Sequence, residues 1–222
     1  DPVMYLGNLK FSATQLPVEH TAWNTLAAAV AGRPVWLAAS THPGEEEIAA
    51  TVHARLTENW PNLLTVIVPR HPARGDQIAL DLRTRGFSVT QRSCDGNSLA
   101  DIYIGDTLGE LGLFYRLSKI TFIGGSMAHH GGHNPLEAAQ LDCAVVLGPD
   151  MGNFATVTRE LLKANGALQA FTTDEIVESV SALMQNRTER DRMAGAAADV
   201  ATSNADAVER IHDEISRLMD DR

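Results

Sequence analysis

Residues 119–139 read KITFIGGSMAHHGGHNPLEAA. KITFIGG (119–125) is a short apolar strand that ends on a glycine pair. A loop rich in glycine and histidine follows. Asn134 is then a good N-cap and Pro135 an apt first helical residue, so NPLEAAQL reads as a helix. A buried strand, a glycine loop and a helix start are the parts of a βαβ unit on a parallel sheet.

The same grammar recurs on both sides of this stretch. VWLAAS (35–40) is a strand that ends at Thr41-His42-Pro43-Gly44, and EEEIAATVHARL is the helix after it. Glu45, Glu46 and Glu47 sit in the first turn, where negative charge suits the helix dipole. LLTVIVP (63–69) is followed by RHPARG and the helix DQIALDLRTRG. FSVTQR (87–92) is the third strand. DIYIGD (101–106) is the fourth, leading into the helix TLGELGLFYRLS, with Asp106 or Thr107 as its cap. CAVVLGP (143–149) is the sixth. Apolar strands alternating with amphipathic helices predict an α/β fold, a Rossmann-like doubly wound parallel sheet. A helix over 16–32 precedes it. Beyond residue 150 the sequence predicts a helix stopped at Gly166, a candidate last strand ALQAF, a helix capped by Thr173, and extra C-terminal helices. The expected organisation is a linker and first helix over 1–33, the Rossmann-like domain over 34–186, and helices packing on it over 187–222.

Composition narrows the function. The chain has 222 residues, 44% of them hydrophobic, which is enough for a sizeable core. A net charge of −10 argues against a nucleic-acid polymer as partner, since such binding needs a basic footprint. It leaves room for a small anionic ligand held by a local cluster of donors. No 18-residue apolar run marks a membrane span. The start, DPVMYLGNLK, has neither the basic segment nor the apolar core of a signal peptide, and its lack of an initial Met suggests a fragment or a processed chain. Cys94 and Cys143 are expected as free thiols in a reducing compartment.

Ligands of doubly wound sheets sit at the carboxyl ends of the strands. The loops expected there are STHPGEEE, PRHPARG, GDTLGEL, GGSMAHHGGHNPLE and GPDMGNF. Glycine loops entering helices offer backbone N–H groups to anions. Arg70 follows a strand and is placed to hold a carboxylate or phosphate, with His71 beside it, or else to pair with a surface acid. Arg74 is expected to cap or to form a salt bridge. Glu137 is placed to accept from a ribose diol or simply to complement the helix dipole. His129, His130 and His133 line an anion or sugar, bind a metal, or are solvated. Their H-H-x-x-H spacing lacks the base of a metalloprotease helix. Ser40, Thr41 and His42 close the set.

The runs GNLKF (7–11), ASTHPGEEE (39–47), PRHPAR (69–74), DTLGELGLFY (106–115), FIGGS (122–126), GGHNPLEAA (131–139) and GPDMGNF (148–154) keep their order over nearly the whole chain. Together they resemble the C-terminal domain of the 3-deoxy-D-manno-octulosonic acid (Kdo) transferases. The resemblance implies the C-terminal half of a GT-B glycosyltransferase, binding the donor CMP-Kdo for transfer to the lipid A precursor. The acceptor, the catalytic base and the membrane contact would belong to an N-terminal half, with the full-length protein at the cytoplasmic face of the inner membrane. No metal or other cofactor is expected. By position it implies Glu137 at the CMP ribose with Asn134 beside it, and Pro69 and Arg70 by the nucleotide. Gly109, Glu110 and Leu111 would lie at the phosphate, with Gly125 and Ser126 close to the donor. Ser40, Thr41, His42, His71 and His133 are further candidates. Ser12 and Ala138 depart from the family's usual Asp and Pro. Another GT-B enzyme using a UDP-sugar, or a non-catalytic nucleotide-binding module, would share most of these features.

Overall fold

The computed structural model describes residues 15–205, 215–217 and 219. GNLKF, Ser12 and the terminal Asp-Asp-Arg fall outside these residues. Seven parallel strands form one sheet in the order β3-β4-β2-β1-β5-β6-β7. They are β1 (Val35–Thr41), β2 (Leu64–Pro69), β3 (Val89–Gln91), β4 (Ile102–Ile104), β5 (Ile120–Ile123), β6 (Ala144–Leu147) and β7 (Ala167–Gln169). The doubly wound sheet expected from the alternation is present, and ALQAF does contribute the last strand.

The strands are apolar throughout because both faces are covered. Along β1, Leu37 and Ala39 face one core while Trp36 and Ala38 face the other. The first core packs under α1 (His20–Val30), α5 (Leu111–Leu117), α6 (Leu136–Ala139) and α7 (Ala155–Lys163). The second packs under α2 (Glu45–Leu56), α3 (Gly75–Thr84) and α8 (Thr173–Gln185). Between them in sequence, α4 (Arg92–Asp95) is a single turn that periodicity does not foretell. Ala197 and Ala201 of α9 (Arg187–Ala205) reach the first core and Met193 the second, so this helix belongs to the packed body. One buried polar group spans the second core: Trp36 Nε1 donates to Thr65 Oγ1 at 2.7 Å, and His53 Nδ1 lies 2.8 Å from the same oxygen.

Several boundaries differ from expectation. Thr172, not Thr173, caps α8, its hydroxyl accepting the Glu175 amide at 3.2 Å. The α5 helix starts only at Leu111, because Asp106 turns instead to Ser93 and Gln91. The NPLEAAQL helix shrinks to one turn, α6.

Sheet order places the site. From β1 the chain moves outward to β2, and through α5 it returns to β5 on the other side of β1. This reversal opens a crevice between the carboxyl ends of β1 and β5. The loops that meet there follow Thr41 and Ile123.

Candidate functional site

The crevice is built around one carboxylate. Glu45, only 1% exposed, accepts the amides of His42 at 2.9 Å, Gly125 at 2.7 Å and Met127 at 2.9 Å. A buried carboxylate is tolerable here because three donors and a helix N-terminus meet it. It ties the β1 loop to the β5 loop. Gly124 has to be glycine, since a Cβ there would come within 2.5 Å of the Ser40 carbonyl. Ser40 itself is left-handed (φ 57°), at the bulge where β1 slips register against β2.

The glycine loop folds back on itself. The Gly125 carbonyl accepts the amides of His130 at 3.1 Å and Gly132 at 3.0 Å, and the Gly131 amide donates to Asp150 Oδ2 at 3.0 Å. This fold carries His133 back over the crevice to His42, with the two Nε2 atoms 2.8 Å apart. His130 stacks on His42 with centroids 4.0 Å apart, and His71 meets it edge-on at 6.1 Å. Burial, together with the neighbouring imidazoles, holds His42 below its usual value. Burial and the charges of His42, Arg70 and His130 hold His133 down at about 4. His129 is exposed with φ 55°, and none of these ring contacts involves it. The H-H-x-x-H stretch therefore divides, and the cluster draws its other members from the β1 and β2 loops. Among the described residues, no three His, Cys, Asp or Glu side chains are arranged to hold a metal.

Arg70 stands exposed beyond Pro69, the buried end of β2. Among the described residues its guanidinium has neither a hydrogen bond nor an ion pair, so it does not pair with a surface acid. Arg74 pairs with a buried acid instead: it grips Glu46 with both terminal nitrogens, at 2.7 and 3.0 Å. Glu137 is half-buried. Burial raises its carboxyl above the usual range, opposed by a 3.4 Å hydrogen bond from Asn134 and by the charge of Arg70. Arg70 thus acts electrostatically on both Glu137 and His133. Asn134 also accepts the Leu136 amide at 3.1 Å.

Three candidates have other duties. Ser126 is fully buried, donating to the Ile123 carbonyl at 2.5 Å and accepting the Gly148 amide at 2.9 Å, so it is a brace and not a ligand donor. Thr41 is fully buried and donates to Glu46 at 2.7 Å. The Glu110 carboxylate is held by Arg92 at 2.7 and 2.9 Å and by the Thr107 hydroxyl. The Arg92 bond is the main reason its carboxyl titrates low. What the Gly109–Leu111 turn presents is therefore backbone. Gly109 has φ 80° with open space beside it, and among the described residues its amide and that of Leu111 meet no acceptor. The Gly125 amide, by contrast, is closed to a ligand, because Glu45 occupies it.

Sequence reasoning did not find the clamp. Glu45 looks like ordinary dipole complementarity, and its long-range role has no local signal. Another concave surface, lined by Trp23, Arg116, Lys119 and Asp142, lies at the opposite edge of the sheet, where β5 and β6 begin.

The comparisons agree with the geometry. No family model matches the chain. The 3-deoxy-D-manno-octulosonic acid transferase of Haemophilus influenzae is 39% identical over 191 residues, covering 85% of this chain and 45% of that protein. The crystal structure of the C-terminal CMP-Kdo binding domain of WaaA from Acinetobacter baumannii superposes with a TM-score of 0.75. It is 29% identical and covers 82% of this chain and 98% of that one. A Staphylococcus aureus MnaA–UDP co-structure, at 14% identity and a TM-score of 0.61 over 97% of this chain and 54% of that one, shares the fold. The chain spans about half the length of the curated relatives it matches. Fold, motif order and these likenesses place it in the Kdo transferase family, as a counterpart of the C-terminal domain.

Proposed function

We propose that this chain is the donor half of an inverting Kdo transferase and that the β1/β5 crevice binds CMP-Kdo. The observation that carries the reading is an Arg70 guanidinium with no hydrogen-bond or ion-pair partner among the described residues, close enough to act electrostatically on the half-buried Glu137. A guanidinium suits the nucleotide phosphate and a carboxylate suits the ribose diol. The relatives named as Kdo transferases, and the neighbouring structure of a CMP-Kdo binding domain, support the choice of ligand.

In the reaction, an acceptor hydroxyl attacks the anomeric carbon of Kdo and the bond to the phosphate oxygen breaks. CMP leaves with the electron pair. Arg70 and the free amides of the Gly109–Leu111 turn stabilise the charge that forms on it. The proton of the hydroxyl goes to a base on the other half of the protein, which also holds the lipid A precursor and meets the cytoplasmic face of the inner membrane. No divalent ion takes part.

Titration of the 222-residue chain with CMP, UMP and UDP tests the reading. CMP binds best, and R70A and E137Q each weaken it at least tenfold. Equal or tighter binding of UDP favours a UDP-sugar enzyme of the same fold. Sugar transfer by this chain alone contradicts the division of labour.

A further inference from the structure

The histidine cluster has a property that neither Arg70 nor Glu137 supplies. Two ring nitrogens at 2.8 Å need one donor and one acceptor. With both imidazoles neutral, one Nε2 carries the hydrogen and the other offers its lone pair. One added proton at Nδ1 of the donor ring, where its lone pair lies, turns that ring into a cation, and the shared hydrogen can then shift to the acceptor Nε2 within the same short contact. A second added proton would set two N–H groups against each other. The pair therefore has room for a single extra proton.

Its surroundings decide when that proton arrives. Around His42 stand His130, His71, Arg74 and Glu45; around His133 stand His42, Arg70, His130 and His71. Glu45 is the one anion of this set, and its carboxylate is already engaged by three amides. Partial burial and the cationic neighbours keep the histidine pair short of the extra proton near neutrality. An oxyanion beside Arg70 reverses that field, since an opposite charge within about 4–6 Å favours the protonated imidazole by about one to three pKa units.

We infer that His42 and His133 form a proton-loading oxyanion subsite, which takes up one proton as the anionic part of the donor binds beside Arg70. The inference rests on the proposed donor site and adds to it a subsite with its own chemistry. The ligand class is an oxyacid, phosphate or carboxylate, in its fully ionised form.

Calorimetric titration of the chain with CMP tests it. At pH 7.5 the CMP phosphate is almost wholly dianionic, its second pKa being about 6, so protons taken up go to the protein. In two buffers of different ionisation enthalpy the measured heats should differ, reporting net proton uptake. Affinity should rise as pH falls from 8 to 7, with about tenfold per pH unit as the upper limit for one linked proton. The double variant H42N/H133N should bind more weakly at pH 7 and lose both the buffer dependence and the pH slope. The wild-type measurement stands by itself, independent of how that variant folds. CMP binding without proton uptake overturns the inference and leaves the donor site intact, as does uptake that survives in a folded double variant. Failure of the wild type to bind CMP at any pH overturns both.

Discussion

The Glu45 carboxylate reaches across the crevice to the Gly125 amide at 2.7 Å, joining residues 80 apart in sequence. It is the first residue of α2 and receives the first residues of the glycine loop. The histidine pair, the glycine loop and the β1 bulge all hang from this clamp.

Replacing Glu45 should therefore act on stability and on ligand binding together. E45A strands three amides in a buried place and should cost about 3 kcal/mol or more. E45Q keeps one acceptor oxygen and should lose roughly half as much. Urea unfolding gives the first quantity, and CMP titration of the folded fraction should show weaker binding in both variants. An E45A protein as stable as the wild type would remove the clamp from the account.

Ser126 and Arg70 separate bracing from binding. S126A loses two buried hydrogen bonds and should be less stable by about 1–3 kcal/mol, with CMP affinity within about twofold of wild type once folded. R70A should do the reverse, losing CMP affinity with hardly any change in unfolding midpoint, because no partner is left behind.

Arg74 provides the contrast to Arg70. Its partner Glu46 is only 4% exposed, so R74A leaves a buried carboxylate uncompensated. The expected loss is about 2–4 kcal/mol, measured by thermal or urea unfolding. An R74A variant with wild-type stability would mean that Glu46 finds water.

The pH dependence of stability should bend in the acid range. His133 is held at about 4, and His42 and His53 are also lowered, all chiefly by burial. An unfolded chain binds protons on these residues at about 6.5, before the folded one does. Stability should thus fall as pH drops from about 6.5 towards 4, the His133 part being complete only below its folded value. Glu137 works in the opposite sense: its raised carboxyl disfavours the folded state once ionised. E137Q should accordingly melt higher than wild type at pH 7 while binding CMP worse, and a lower melting temperature would contradict this.

Much of the fold is legible in the chain, because strands buried on both faces carry continuous apolar runs that nothing else explains. Arg70 and Glu137 are legible for a related reason: each follows a strong strand or helix start, so its place on the sheet edge is fixed by its neighbours. Ser126 misleads because its partner Gly148 lies 22 residues away and no local pattern signals it. The Glu110 carboxylate is likewise taken by Arg92, 18 residues away, which leaves the turn its backbone. The helix start at Leu111 slips for the same reason. Asp106 is a plausible cap by sequence, yet it is drawn off by Ser93 from the next strand end. The meeting of His42 with His133 depends on the reversal of strand order, which becomes visible only once the sheet is assembled.

The clamp also bears on how the molecule comes to life. The carboxylate and two of the three amides it gathers, those of Gly125 and Met127, come from loops on opposite sides of the β1/β5 switch, so neither side alone can shape the crevice. Refolding should regain helical content before it regains affinity for nucleotide, and competence to bind would then be among the last things the nascent chain acquires.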